Sequence, residues 1–148
     1  MMAFERKKLL VFLFVWLWLL SNSVFYHTSY IDYDLWNKQA QHAERQLETD
    51  QVSESLRKQV AAWRDLFQSA SEVDKSRIGT VQSQIEALGA PPEDGAVDPL
   101  AERRSELVSE LAMLTSPAAK ALEAFQKADG LIREIDQKIR AEQASALI

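Results

Sequence analysis

Reactive side chains are few in this chain, and they lie far apart in the sequence. Among its 148 residues there are two histidines, His27 and His42, and no cysteine. Without cysteine the chain forms no disulfide and offers no thiolate, either as a nucleophile or as a metal ligand. His42 lies among polar neighbours that include Glu44 and Arg45, which is typical of a solvated histidine. These residues predict no catalytic site.

A row of acidic side chains is the first candidate for cation binding. Its members recur every four residues: Glu102, Glu106 and Glu110. This spacing places the three carboxylates on one face of a helix, where they would attract a cation. However, Arg103 and Arg104 lie beside the start of the row, so an ordinary charged and solvated face is the simpler interpretation.

A second acidic group lies near the C-terminus. Its members are Asp129, Glu134 and Asp136. No histidine or cysteine accompanies them, which disfavours tight binding of a transition metal. Trp63 and Phe67 have the spacing of core residues and do not indicate a ligand cage. We therefore expect no catalytic residue, no cofactor-binding residue and no metal ligand, and we expect that the chain is not an enzyme.

The composition predicts that long helices carry these side chains. The chain has only four glycines and four prolines, and three of the prolines fall within residues 91–99. So few turn-forming residues favour an all-α fold. The formal net charge of −5 disfavours nucleic acid as a partner, because nucleic-acid-binding proteins normally present a basic surface. No feature of the sequence indicates a small-molecule substrate either.

The N-terminal segment predicts export. Residues 9–20 are all apolar, and three basic residues at positions 6–8 precede them. A basic start and an apolar run of this length are typical of a signal peptide, with cleavage expected near Ser23. Residues 24–26 extend the apolar run, so an uncleaved signal anchor is an alternative, whereas a buried core helix fits less well. In either form the basic residues hold the N-terminus in the cytoplasm, and residues 24–148 are expected in the periplasm.

Two runs of apolar residues alternate steps of four and three, the seam spacing of a coiled coil. The first run comprises Leu56, Val60, Trp63, Phe67, Ala70, Ile78, Val81, Ile85 and Leu88, with a weak patch at Asp74 and Arg77. The second comprises Leu107, Leu111, Leu114, Ala118, Ala121, Phe125, Ala128, Ile132, Ile135 and Ile139. A shorter amphipathic segment precedes them, with Trp36, Ala40, Ala43 and Leu47 at helical spacing.

These patterns predict three helices, at about residues 34–48, 53–88 and 99–145. The expected fold is all-α, an elongated antiparallel helical hairpin or coiled coil with a short additional N-terminal helix. The helix lengths suggest that the first helix covers the part of the third that extends past the second. Five side chains are expected to be buried in the seam: Trp63, Phe67, Ile85, Leu111 and Phe125. Four pairs are expected within helices: Glu54/Lys58, Glu123/Lys127, Glu134/Lys138 and Asp136/Arg140.

Individual residues predict where these helices end. Ser53 is a plausible N-cap for the second helix. Gly89 suits the left-handed position that follows a helix, whereas Asp98 and Pro99 suit the start of the next one. Residues between them are therefore expected to form an exposed turn. Pro117 is expected to kink the third helix without breaking it.

Several segments resemble a known bacterial domain. Trp-Arg-Asp-Leu-Phe at 63–67 and Ile-Gly-Thr at 78–80 are followed by Gln-Ile-Glu-Ala-Leu-Gly-Ala-Pro-Pro-Glu-Asp-Gly at 84–95. Ala-Asp-Gly-Leu-Ile-Arg-Glu-Ile-Asp at 128–136 is similar to the closing motif of that domain. The domain has no defined function and lies N-terminal to the channel region of certain bacterial small-conductance (MscS-type) mechanosensitive channels. The resemblance covers the chain from about Tyr33 to Ala146.

The resemblance implies a periplasmic domain that follows a signal peptide and precedes membrane helices and a pore. Its role would be structural, its partner a second copy or the remainder of a membrane channel, and its location the inner membrane. No pore segment has a counterpart here, so no functional residue is carried over. Residues 144–148 lack a helix-stop signal, and the natural polypeptide is therefore expected to continue beyond Ile148. The alternative is a free-standing periplasmic coiled-coil adaptor or chaperone-like protein.

Overall fold

The computed structural model describes residues 30–93 and 95–148 of the chain. Within these residues the chain forms four α-helices and no strand, which confirms the all-α class. The helices are α1 (Tyr33–Glu48), α2 (Glu54–Glu72), α3 (Lys75–Ala87) and α4 (Ala101–Ala146). Residues 36–148 form one compact unit, to which the packing below belongs. The leader predicted over residues 1–23 lies outside the described residues, as does His27.

The segment predicted as one helix over residues 53–88 is two helices, so that prediction was wrong. Helix α2 ends at Glu72 and α3 begins at Lys75, with Val73 and Asp74 between them. Asp74 has φ −102° and ψ 10°, outside the helical region. Aspartate is a weak helix former, and Val73 is largely exposed, so no buried side chain favours helical geometry at this point.

Local sequence signals fix the start of α2 and the end of α3. The Ser53 hydroxyl accepts a hydrogen bond from the Leu56 N–H at 3.1 Å, so Ser53 is the N-cap that the sequence predicted. Gly89 has φ 68°, and its N–H donates to the Glu86 carbonyl at 3.0 Å. This left-handed glycine ends α3 where the sequence predicted.

Helix α1 ends in a Schellman motif that contains no glycine. The Gln51 N–H donates to the Gln46 carbonyl at 2.8 Å, and the Asp50 N–H donates to the Leu47 carbonyl at 3.4 Å. Asp50 takes the left-handed conformation of this motif, with φ 54°. Its carboxylate also contacts the ammonium group of Lys138, so the end of α1 is attached to α4.

Helices α2 and α3 pack antiparallel to α4. Arg57, near the start of α2, pairs with Asp136 in the last third of α4 at 2.5 Å between Nε and Oδ1. Arg77 in α3 pairs with Glu110, near the start of α4, at 2.8 Å. Rising residue numbers along α2 and α3 therefore oppose falling numbers along α4, as in the predicted hairpin.

Helix α1 packs beside α2 and the C-terminal half of α4, and it runs parallel to α4. Glu44 pairs with Lys127 at 3.2 Å, and Trp36 packs on Phe67 with 5.2 Å between the ring centroids. Helix α1 thus lies beside the paired part of α4, whereas the sequence suggested that it covers the part extending past α2. In the observed position Trp36 and Phe67 are both buried and their rings contact each other, which favours this placement of α1.

The buried side chains divide the molecule into two packing regions. The bundle, defined as α1, α2 and residues 118–146 of α4, buries Trp36, Ala40, Ala43, Leu47, Leu56, Val60, Phe67, Ala121, Ala124, Ala128, Leu131, Ile132 and Ile135. The distal hairpin, defined as α3 and residues 101–116 of α4, buries Val81, Leu107 and Leu114. The bundle therefore contributes most of the apolar burial.

Two exposed glycines predict opposite effects of substitution by alanine. Gly79 lies inside α3, and Gly89 has a positive φ; neither has an atom within 4 Å of the position of an added Cβ. Gly79→Ala is expected to raise the free energy of unfolding by about 0.5–1 kcal/mol, because alanine loses less backbone entropy in a helix. Gly89→Ala is expected to lower it by about 1–2 kcal/mol, since a left-handed residue with a Cβ is strained. Urea denaturation measures both, and equal signs would contradict this account.

Candidate functional site

Two members of the acidic row of α4 form ion pairs with arginine, and the third, Glu102, is exposed in the first turn of the helix. Glu106 pairs with Arg103 at 3.1 Å, and Glu110 pairs with Arg77 of α3 at 2.8 Å. The row is therefore part of the charged surface that connects α3 to α4. In the described part of the chain, no group of three acidic or histidine side chains has the arrangement of a metal site.

The second acidic group is likewise dispersed among ion pairs. Asp129 pairs with Arg133 at 3.5 Å, and Asp136 pairs with Arg57 at 2.5 Å. Glu134 lines a shallow surface groove between the end of α1 and α4. His42 is exposed on α1.

Three charges that were predicted to pair within a helix instead connect different helices. Lys127 contacts Glu44, Lys138 contacts Asp50, and Asp136 contacts Arg57. The spacing of four residues did favour intrahelical pairs, but each of these side chains also reaches an opposite charge on the neighbouring element. These pairs fix the register of the bundle, because each joins two specified levels of adjacent helices.

The Arg57–Asp136 pair has the clearest electrostatic effect. The guanidinium donates two hydrogen bonds to the carboxylate, at 2.5 Å from Nε and 3.4 Å from Nη2. This hydrogen bonding lowers the pKa of Asp136, whereas partial burial of the carboxylate opposes the change. The same hydrogen bond raises the pKa of Arg57. Folding therefore favours the ionised form of Asp136.

This lowered pKa predicts a stability difference that disappears in acid. Because the folded-state pKa of Asp136 lies below the unfolded value of about 3.9, its contribution is present above that pH and is lost as pH falls through the folded value. The free energy of unfolding of Asp136→Asn is expected to be below that of the natural sequence at neutral pH and to approach it as the pH falls through the folded-state pKa of Asp136. Arg57→Gln is the matched variant and should behave similarly. A difference that stays constant down to strong acid would contradict the assignment.

Arg104 has a role at the turn that the sequence did not reveal. Its Nη1 donates to the Gly89 carbonyl at 2.7 Å, and its Nε lies 3.4 Å from the Asp98 carboxylate. Asp98 also accepts a hydrogen bond from the Leu100 N–H at 2.9 Å, and α4 begins at Ala101, slightly later than predicted. Arg104 thus joins the two ends of the turn. The turn residues between them are exposed where the structure describes them.

The aromatic residues of the predicted seam form a packed cluster. Phe67 is fully buried, and it stacks on Trp63 with 5.6 Å between the ring centroids. The Trp63 indole N–H donates to the amide oxygen of Gln39 in α1. Trp63, Ile85, Leu111 and Phe125 are half-buried, whereas the sequence predicted that they are buried in the seam. A packed pair of rings with a satisfied N–H is a core feature and offers no open cage for a ligand.

An uncharged face of α4 is the strongest candidate for an interaction surface. The α4 stripe consists of Val108, Ala112, Thr115, Ala119 and Leu122. Its spacing alternates four and three residues, as in the seam of a coiled coil. Val108 and Leu122 are each about half exposed, at 52% and 46%, and both alanines are exposed. Sequence analysis missed this stripe because the larger side chains of the neighbouring seam dominate the pattern.

Comparisons with known proteins give no relative from which a role could be transferred. No family model matches the chain, and no curated protein and no solved structure is significantly similar to it. Among the described residues, no helix combines the length and the apolar character needed to span a membrane. The candidate surface therefore has to be interpreted from its own residues.

Proposed function

We propose that the chain is a non-catalytic periplasmic domain of an MscS-type mechanosensitive channel protein, where it has a structural role in assembly. The pore would belong to another part of the polypeptide. The observation that carries this proposal is that the residues resembling the family's motifs stabilise the helical fold. A domain whose characteristic residues stabilise a helical scaffold is suited to a structural role.

Both of the specific motifs support this view. In the Leu-Gly-x-Pro-Pro loop, Leu88 packs on the core of the distal hairpin, and Gly89 supplies the left-handed residue that ends α3. In the Ala-Asp-Gly-Leu-Ile segment, Ala128, Leu131 and Ile132 are buried in the bundle. Substitution at these positions would therefore mainly change the stability and packing of the domain, and would change the chemistry of its surface less.

The α4 stripe supports a role in assembly through contact with a second copy of the protein. Exposed helix faces of soluble domains normally carry charges, whereas none of the five stripe residues is charged, and the charges of Arg104 and Glu123 lie at its two ends. Burying an uncharged stripe avoids the desolvation of ionised groups, and the stripe can meet its own copy without charge repulsion. A two-fold contact between two stripes is the arrangement that this face favours.

Fractionation of cells tests the proposed context. An epitope tag inserted between Gly95 and Ala96 should be tolerated, because this turn is exposed and loop entropy rises slowly with length. Expressed from the native locus, the tagged protein is expected in the inner-membrane fraction, in a band larger than this chain. A band of this chain's size, found entirely in the soluble periplasmic fraction, would contradict the channel proposal and favour the free adaptor.

Photo-crosslinking tests the assembly surface separately. A photoreactive residue in place of Ala112, within the stripe, is expected to give an adduct with twice the mass of the protein. The matched control places it at Glu106, an exposed position on another face of the same helix. Equal adduct yields at the two positions would argue against the stripe, whatever the fractionation shows.

A further inference from the structure

Two interruptions of the helical hydrogen-bonding pattern occur where α2 and α3 pack along α4. In one chain segment, α2 gives way to α3 at Val73 and Asp74. In the other, Pro117 lies inside α4, where it has no N–H to donate to the carbonyl of Met113. Each interruption alone is a common cause of a bend in a single helix.

The antiparallel register places the two interruptions at the same level. Counting from the Arg77–Glu110 pair places Asp74 opposite residue 113, and counting from the Arg57–Asp136 pair places it opposite residue 119. Pro117 lies inside this interval. We call this level the waist and define it as residues 70–76 together with residues 113–119.

A third feature weakens the backbone of α4 within the waist. The Thr115 hydroxyl donates to the Leu111 carbonyl at 2.8 Å. A threonine hydroxyl bonded to the carbonyl four residues earlier competes with the helical hydrogen bond and often bends the helix. The bond lies two residues before Pro117, so both perturbations act on the same turn.

The packing is also thin at the waist, where Leu114 is the one buried side chain. Along α2 and α3, no side chain between Phe67 and Val81 is buried, and along α4 none is buried between Leu114 and Ala121. Helix α1 begins at the edge of this level, because Tyr33 lies only three residues before Trp36, which packs on Phe67. Among the described residues, two helical segments alone cross the waist completely, and the small side chain of Ala70 is half-buried there.

We propose that the waist is a hinge, about which the distal hairpin bends relative to the bundle. At this level one segment passes between two helices and the other lacks the hydrogen bond of Pro117, so bending here breaks few further bonds, and the thin packing offers little apolar resistance. The bundle and the distal hairpin each keep their own core during this motion. The inference does not depend on the proposed channel context.

Distance distributions between pairs of spin labels test the hinge in the full chain. The natural sequence has no cysteine, so pairs of introduced cysteines can be labelled without other changes. Gln59→Cys and Gln82→Cys are exposed positions on either side of the waist, roughly 35 Å apart along the helices at 1.5 Å per residue. Glu123→Cys and Arg140→Cys form the control pair, since both lie within the bundle on one helix. The distribution across the waist is expected to be broader than that of the control pair.

Restoring the hydrogen bond in α4 should narrow this distribution. Pro117→Ala supplies the missing N–H and the strongest helix former, so the variant should fold and should shift the width toward that of the control pair. Pro99→Ala is the matched control, because Pro99 precedes α4, and it should leave the width unchanged. If, without the Pro117 substitution, the distance distribution across the waist were as narrow as that of the control pair, the proposal would be overturned. An unchanged broad distribution in Pro117→Ala would also overturn it.

Discussion

Replacing Phe67 with alanine is expected to lower the free energy of unfolding by about 3–5 kcal/mol. Phe67 is fully buried, and its ring packs against the indoles of both Trp36 and Trp63, at centroid distances of 5.2 and 5.6 Å. Removing the ring would leave a cavity between α1 and α2 and would abolish two aromatic contacts. Urea denaturation followed by circular dichroism measures the loss.

The adjacent residue provides the control for this substitution. Leu66 lies on the same helix but is 42% exposed, so Leu66→Ala is expected to cost about 1 kcal/mol or less. A large loss for Leu66→Ala together with a small loss for Phe67→Ala would show that the face of α2 that packs on α1 has been assigned wrongly. Near-ultraviolet circular dichroism should change in the Phe67 variant, because the surroundings of both indoles change.

Replacing Ile135 with alanine is expected to lower the free energy of unfolding by about 2–5 kcal/mol. Ile135 is fully buried in α4, one residue before the carboxylate that pairs with Arg57. It therefore lies at the level where α1, α2 and α4 are all present, and the neighbouring helices leave little room for the site to collapse. Chemical denaturation again measures the change.

Ile139 provides the matched comparison for Ile135. It is the same residue type, four positions later on the same helix, but it is half-buried. Ile139→Ala should therefore cost clearly less than Ile135→Ala, since fewer apolar contacts are lost. A larger loss of unfolding free energy for Ile139→Ala than for Ile135→Ala would mean that the core of the bundle extends further toward the C-terminus than the burial of these side chains indicates.

The sequence was most informative where one residue type has one strong local preference. The Ser53 cap and the left-handed Gly89 were predicted correctly, because each depends on contacts with residues a few positions away. The all-α class followed from the scarcity of turn formers and from heptad spacing, which extends over many residues. Burial in the bundle also followed the heptad pattern at Leu56, Val60 and Phe67.

Features that depend on tertiary register were beyond the sequence patterns. Lys127 had a carboxylate four residues earlier in its own helix, yet it pairs with Glu44 of α1, a choice that only the packing of α1 decides. The apolar spacing of the first run weakens at Asp74, where the structure has a break between two helices. A continuous helix with a polar residue at this position would show the same spacing, so the sequence could not distinguish the two. The α4 stripe was missed because uncharged small residues give a weak signal beside a run of leucines and isoleucines.

The position of α1 has a consequence for the order in which the chain folds. Trp36 and Trp63 contact each other across a short stretch of sequence, whereas Arg57 and Asp136 are 79 residues apart. Closing a short loop loses less chain entropy than closing a long one, and proteins rich in local contacts fold faster. We therefore expect α1 and α2 to associate early, and the C-terminal half of α4 to complete the bundle later. On this pathway the aromatic cluster acts as a nucleus, so Phe67→Ala should slow folding, whereas Ile135→Ala should mainly accelerate unfolding.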